Sequence, residues 1–189
     1  MSPTTSLFIP IILGTPRKER MSEHVANFVL GEVKKRDGIE TEIVDVRKIH
    51  LASDDEGEDI KNPDLSALFN RAAAFILVVP EYNHGYPGML KHLLDTNLKE
   101  YIHKPVGICG VSGGSFGGTR VIENLLPVMR ELGLVTIFWD GNFPHVRTLF
   151  DAEGKILDQA FVRRIDKFIK ELIWMATVLK YGRENVPLQ

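Results

Sequence analysis

Cysteine is almost absent from this sequence: one residue in 189, Cys109. A single thiol closes no internal disulfide, so the fold must stand on its core, and a reducing compartment suits it. Charge of one sign is missing too. Lys and Arg number 23 against 25 Asp and Glu, a formal net charge of −2. That balance argues against bulk nucleic-acid binding, which needs a basic surface. No apolar run approaches the roughly 20 residues that a membrane-crossing helix requires. The opening residues, Met1 to Pro10, lack the basic stretch and long apolar segment of a secretory signal. A cytoplasmic protein is expected. The six histidines (His24, His50, His84, His92, His103 and His145) form no HExxH or paired ligand spacing, so no metal centre is expected.

What is present reads as one globular unit over residues 1–189, with 44% hydrophobic and 25% charged residues. Apolar runs and amphipathic stretches alternate from end to end. The runs are Leu7–Leu13, Ile43–Val46, Phe75–Val79, Val106–Val111 and Leu134–Trp139. Each is apolar throughout rather than alternating, the pattern of strands buried on both faces of a parallel sheet. Pro10 interrupts the first, since proline removes a ladder donor. Helical spacing is predicted over Ser22–Arg36, Leu65–Arg71, Pro87–Lys99, Thr119–Leu132 (with Pro127 bending it) and Phe161–Leu179. Five β-α repeats predict an α/β fold: a five-stranded parallel sheet with helices on both faces. The acidic run Asp54, Asp55, Glu56, Glu58 and Asp59 reads as a solvated loop.

Ligands of open α/β sheets bind beyond the carboxyl ends of the strands. Three loops there are unusual. Gly14–Ser22 leaves a strand and enters a helix, where free N–H groups and the dipole favour an anion. Arg17 can fork onto phosphate oxygens, Thr15 offers a hydroxyl, and Ser22 suits an N-cap. The loop is neither a Walker A site nor GxGxxG. Pro80–Lys91 sets two tyrosines and an amide on a backbone fixed by two prolines and two glycines, which suits a planar heterocycle or simply a rigid turn. Ser112–Gly118 has four glycines in seven residues, so its backbone can approach a ligand closely. In strand order 2-1-3-4-5 these loops follow neighbouring strands and converge on one crevice.

Gly14-Thr15-Pro16-Arg17…Ser22, Pro80-Glu81-Tyr82-Asn83…Pro87-Gly88-Met89-Leu90-Lys91…Asp95 and Ser112-Gly113-Gly114…Gly117-Gly118 resemble the signature of the NADPH-dependent FMN reductase family. Order and spacing fit over roughly residues 6–140, and the Pro80–Asp95 segment is the most specific part. Thr15 stands where the family usually has serine, and His84-Gly85 where it often has Ser or Arg. The resemblance implies a flavodoxin-like three-layer sandwich that binds FMN and accepts hydride from NADPH or NADH. It implies that Thr15, Arg17 and Ser22, with Arg20 and Met21, hold the FMN phosphate. Pro80, Glu81, Tyr82 and Asn83 would line the isoalloxazine, and Ser112, Gly113, Gly114 and Ser115 would meet its pyrimidine end. No catalytic acid or base is implied. Donor and acceptor (quinone, flavin, azo compound or metal oxyanion) would use one site in turn. A homodimer or homotetramer is also implied, with the Phe161–Leu179 face and the Leu93–Leu94 helix as compatible surfaces.

Two other readings compete. Gly110-Val111-Ser112-Gly113-Gly114 matches G-x-S-x-G, and Asp140 and His145 follow in serine-hydrolase order. A flavodoxin-type electron carrier is the second, although such carriers are strongly acidic and this chain is not. Cys109, inside an apolar run, reads as a packing residue.

Overall fold

Apolar runs without alternation should bury both faces of a strand, and the third and fourth do. In the computed structural model, which describes residues 6–51 and 62–188, the strands are β1 (Leu7–Phe8), β2 (Ile11–Leu13), β3 (Ile39–Glu40), β4 (Ile43–Asp45), β5 (Phe75–Pro80), β6 (Pro105–Val111), β7 (Val135–Thr136) and β8 (Gly141–Phe143). The helices are α1 (Ser22–Lys34), α2 (Pro63–Arg71), α3 (Gly88–Asp95), α4 (Thr119–Glu131) and α5 (Gln159–Asn185). The acidic run Asp54–Asp59 lies outside the described residues.

The main sheet is parallel in the order β4-β2-β5-β6-β7, with β8 also on β6. The predicted 2-1-3-4-5 order is present, but three of its strands are each split in two. Pro10 splits the first: β1 pairs β3, and β2 pairs β4 and β5. Proline has no N–H to give, yet its carbonyl accepts from the Ile76 N–H at 3.0 Å. The fifth strand departs furthest from expectation. Leu134–Trp139 was predicted to be buried throughout, but pairing stops after Thr136, and Phe138 and Trp139 stand 79% and 45% exposed. The chain bulges out there and returns to β6 as β8.

Alternate residues of the central strands feed two cores. Ile76, Val78, Cys109 and Val111 join α1 and α5 on one face. Phe75, Leu77, Val79, Val106 and Ile108 join α2, α3 and α4 on the other. Close approaches require glycine at several positions, Gly107 and Gly118 among them. A Cβ on Gly107 would lie 2.3 Å from the Phe168 ring, and one on Gly118, at φ +79°, would lie 2.5 Å from the Val111 nitrogen. Pro127 sits inside α4. The α5 helix runs well past the predicted Leu179 end. Phe161, Ile165, Phe168, Ile169 and Leu172 are spent on the core, as are Leu93 and Leu94, while Trp174, Val178 and Tyr181 of α5 stay exposed.

Candidate functional site

Parallel neighbours end on one side of a sheet, so the loops after β2, β5 and β6 emerge together. Side chains tie them. The Thr15 hydroxyl lies 3.1 Å from the Tyr82 hydroxyl. The exposed Arg17 guanidinium stacks 3.8 Å above the Tyr82 ring centre, at a distance that suits a cation on a π face. These contacts join the first loop to the second.

Within the second loop Tyr82 and Gly85 exchange both backbone bonds, each at 2.9 Å. Asn83 and His84 sit between them at φ +50° and +65°. Two consecutive positive φ values in a two-residue connection mark a type I′ turn, which asparagine tolerates well. Its tip is exposed and is held by Asn124 of α4, whose amide donates to the His84 carbonyl at 2.5 Å. The backbone N–H of Glu81 donates to the Val111 carbonyl at 2.8 Å, and its carboxylate pairs with Arg120 at 3.3 Å. Arg120 in turn stacks 4.3 Å over Phe116 of the third loop.

The third loop folds against the end of β8. Ser112 N–H donates to the Phe143 carbonyl, and the Ser112 and Gly114 carbonyls accept from Val146 and His145. Gly113 and Gly114 are exposed, and a Cβ on either would meet nothing within 4 Å. Their backbone therefore borders open space a ligand can approach.

The first loop divides its residues in a way the sequence hides. Thr15 is fully buried, while Pro16 to Glu19 are exposed. Ser22 begins α1 rather than capping it: the N-cap is Met21, without a side-chain cap bond. The Ser22 hydroxyl is buried without a hydrogen-bond partner. Arg20 corrects the expectation most. Its guanidinium is buried, binds both oxygens of Asp45 at 2.9 and 2.5 Å, and donates to the Thr15 carbonyl. Its Nε faces Glu23 at 3.3 Å. Four of its five N–H groups are thus taken up within the protein. Burial alone would push the Asp45 carboxyl up, but hydrogen bonds from Arg20 and the Arg47 N–H hold it below the ordinary carboxylate range.

The description of the NADPH-dependent FMN reductases matches residues 9–141. The chain belongs to that family. Its relatives include an NADPH azoreductase from Bacillus sp., 32% identical over 122 residues, which cover 61% of this chain and 64% of that one. This chain therefore spans just under two thirds of that relative. A 2-hydroxy-1,4-benzoquinone reductase from Burkholderia sp. is 25% identical over 90% of this chain and 97% of that one. The fold is that of FerB, a flavoenzyme NAD(P)H:(acceptor) oxidoreductase from Paracoccus denitrificans, with a TM-score of 0.76 at 18% identity over 91% of this chain and 98% of that one. This is a flavodoxin-like architecture.

FMN is the flavin of an FMN reductase and NAD(P)H its hydride donor, and the residues present fit the flavin. A buried hydroxyl without a partner, Ser22, stands at a helix entrance, where an anion is favoured. Arg17 is exposed and has no ion pair among the described residues. Gly113 and Gly114 border open space, where a flat ring can approach the backbone. Phe116, Arg120 and Asn124 were not anticipated. They lie on the third loop and in α4, and only the packing of α4 against the second loop reveals them.

Proposed function

We propose that the crevice between the three loops holds FMN and that this chain passes hydride from NAD(P)H to a small oxidised acceptor such as a quinone or an azo compound. The observation that carries this reading is the convergence of the loops, joined by Arg17 on Tyr82 and Glu81 on Arg120. Arg17, the Ser22 hydroxyl and the start of α1 hold the phosphate, with Met21 beside them and Thr15 acting through its backbone. Pro80, Glu81, Tyr82 and Asn83 line the ring system, and Ser112, Gly113, Gly114 and Ser115 offer backbone groups to its pyrimidine edge.

Bound FMN supplies the hydride relay, and the protein supplies orientation and electrostatics. The I′ turn and the Glu81–Arg120 pair keep the second loop from collapsing into the crevice. Backbone N–H groups of the exposed third loop would act as fixed donors toward bound FMN, and such donors stabilise negative charge. Donor and acceptor take the same space in turn, so no residue is assigned as a catalytic acid or base. Quinones are favoured by the near full-length match to a quinone reductase. The unit spans residues 1–189, works in the cytoplasm and assembles as a homodimer or homotetramer. Exposed apolar side chains such as Trp174, Tyr181 and Leu98 are ones that a second copy would cover.

The serine-hydrolase alternative finds no support in the local geometry. Ser112 Oγ donates to the Gly114 carbonyl at 3.0 Å, no histidine is bonded to it among the described residues, and α4 starts only at Thr119. A nucleophile elbow enters its helix at once.

Protein reconstituted with FMN should show flavin absorbance that NADPH bleaches without oxygen and a quinone restores. Arg17→Ala should weaken FMN binding by roughly 1.5–3 kcal/mol, on the order of 10- to 150-fold. An unchanged dissociation constant would remove Arg17 from the site.

A further inference from the structure

Arg20 is a buried cation beside the crevice, and four of its five N–H groups are bonded to Asp45, Thr15 and Glu23. Its side chain is 1% exposed and that of Asp45 is 7% exposed. Asp45 ends β4, level with Leu13 at the end of β2. Asp45 itself is held from behind: its Oδ1 accepts from the Arg47 N–H at 3.0 Å as that N–H opens a short 3₁₀ turn. The two oxygens of a fixed carboxylate set the plane of the guanidinium, because paired N–H groups match a carboxylate in one orientation. Nη1 also donates to the Thr15 carbonyl. Thr15 Oγ1 accepts from the Arg17 N–H at 3.4 Å and meets the Tyr82 hydroxyl. The Tyr82 ring lies under the Arg17 guanidinium. A continuous line of contacts thus runs from the tip of β4 to the exposed cation of the first loop. Between Thr15 and Arg20 the chain passes through Glu19 at φ +51°, a conformation costly for a residue with a side chain and kept only where neighbours impose it.

We propose that Arg20 is a positioning residue: locked by Asp45, it pins the Thr15 carbonyl and so fixes the turn that presents Arg17 to the FMN phosphate. It touches no ligand. This rests on the reading that the phosphate lies at the first loop. A lysine at position 20 keeps the charge and three donors but not the planar fork, so it does not fix one orientation across Asp45 and the Thr15 carbonyl.

The test combines variants at positions 17, 20 and 45, with FMN titrated into apo-protein by quenching of flavin fluorescence. Replacing both members of a buried ion pair with apolar residues of similar size often leaves folding intact, so Arg20→Met with Asp45→Leu is the main variant. Its melting, followed by circular dichroism, reports the fold separately. FMN dissociation should rise at least tenfold in the folded double variant. Arg17→Ala should then add no more than about twofold, against tenfold or more in the native background, because an undirected Arg17 has little left to lose. A role in folding alone would leave that second ratio unchanged. If the double variant does not fold, Arg20→Lys is measured in its place, with a rise of several-fold expected. FMN bound within twofold of native by a folded variant, or full additivity with Arg17→Ala, overturns the proposal. If Arg17→Ala has no effect even in the native background, the phosphate reading itself fails.

Discussion

Two arginines three positions apart in one loop take opposite fates. Arg17 is exposed and stacks on Tyr82, while Arg20 is buried against Asp45. Nothing local distinguishes them, because both sit in a basic turn before a helix. The difference comes from Asp45, which the parallel pairing of β2 with β4 brings alongside. The same pairing makes the site acid-sensitive. Asp45 has a folded-state pKa below its ordinary value of 3.8, so its contribution to stability is present above that value and is lost as the pH falls through the folded pKa. Acid unfolding followed by circular dichroism should steepen below about pH 4. In Asp45→Asn that segment of the curve should be shallower, and equal slopes would remove Asp45 as the group responsible.

At the scale of elements, the central strands were legible because burial on both faces leaves no polar residue to interrupt them. Phe75–Pro80 contributes to both cores, and its limits in the sequence match those in the fold closely. Leu134–Trp139 departs from the buried pattern for a physical reason. An edge strand has one neighbour, and a chain that leaves it can carry large apolar side chains outward. Ile76→Ala should therefore cost roughly 2–5 kcal/mol, as truncations in a tight core do. Phe138→Ser should change stability by no more than about 0.5 kcal/mol. Urea unfolding of the two variants checks both figures, and a large loss at Phe138 would mean that this side chain is covered in solution. The three strand-end loops were legible as a group, since glycine, proline and aromatic residues cluster in them. Their fastenings, Arg120 and Asn124, were not. Both sit on an ordinary amphipathic helix, and their role depends on where α4 lies relative to the second loop.

For the molecule as a whole, the crevice spans three strands from both halves of the sheet, and a ligand seated there contacts loops otherwise held by a few polar contacts. Binding to the native state alone stabilises by mass action, about 2.7 kcal/mol at a free ligand concentration 100 times the dissociation constant. For a chain of this size that is roughly a 5–10 °C rise in melting temperature. Native protein heated with and without FMN should show that rise, and Arg17→Ala at the same FMN concentration should lose most of it. A native melting point indifferent to FMN would contradict the cofactor reading.

Cys109 has a wider consequence. It lies fully buried in β6, where burial pushes its thiol well above the ordinary range, and Gly141 leaves the space its sulfur fills. Alkylating and maleimide reagents attack the thiolate and need access to it, and this sulfur offers neither. The native chain is in practice a cysteine-free background for bioconjugation. A new cysteine at exposed Ser115 would be its sole reactive handle, so a dye attached there could report occupancy of the crevice from one defined point.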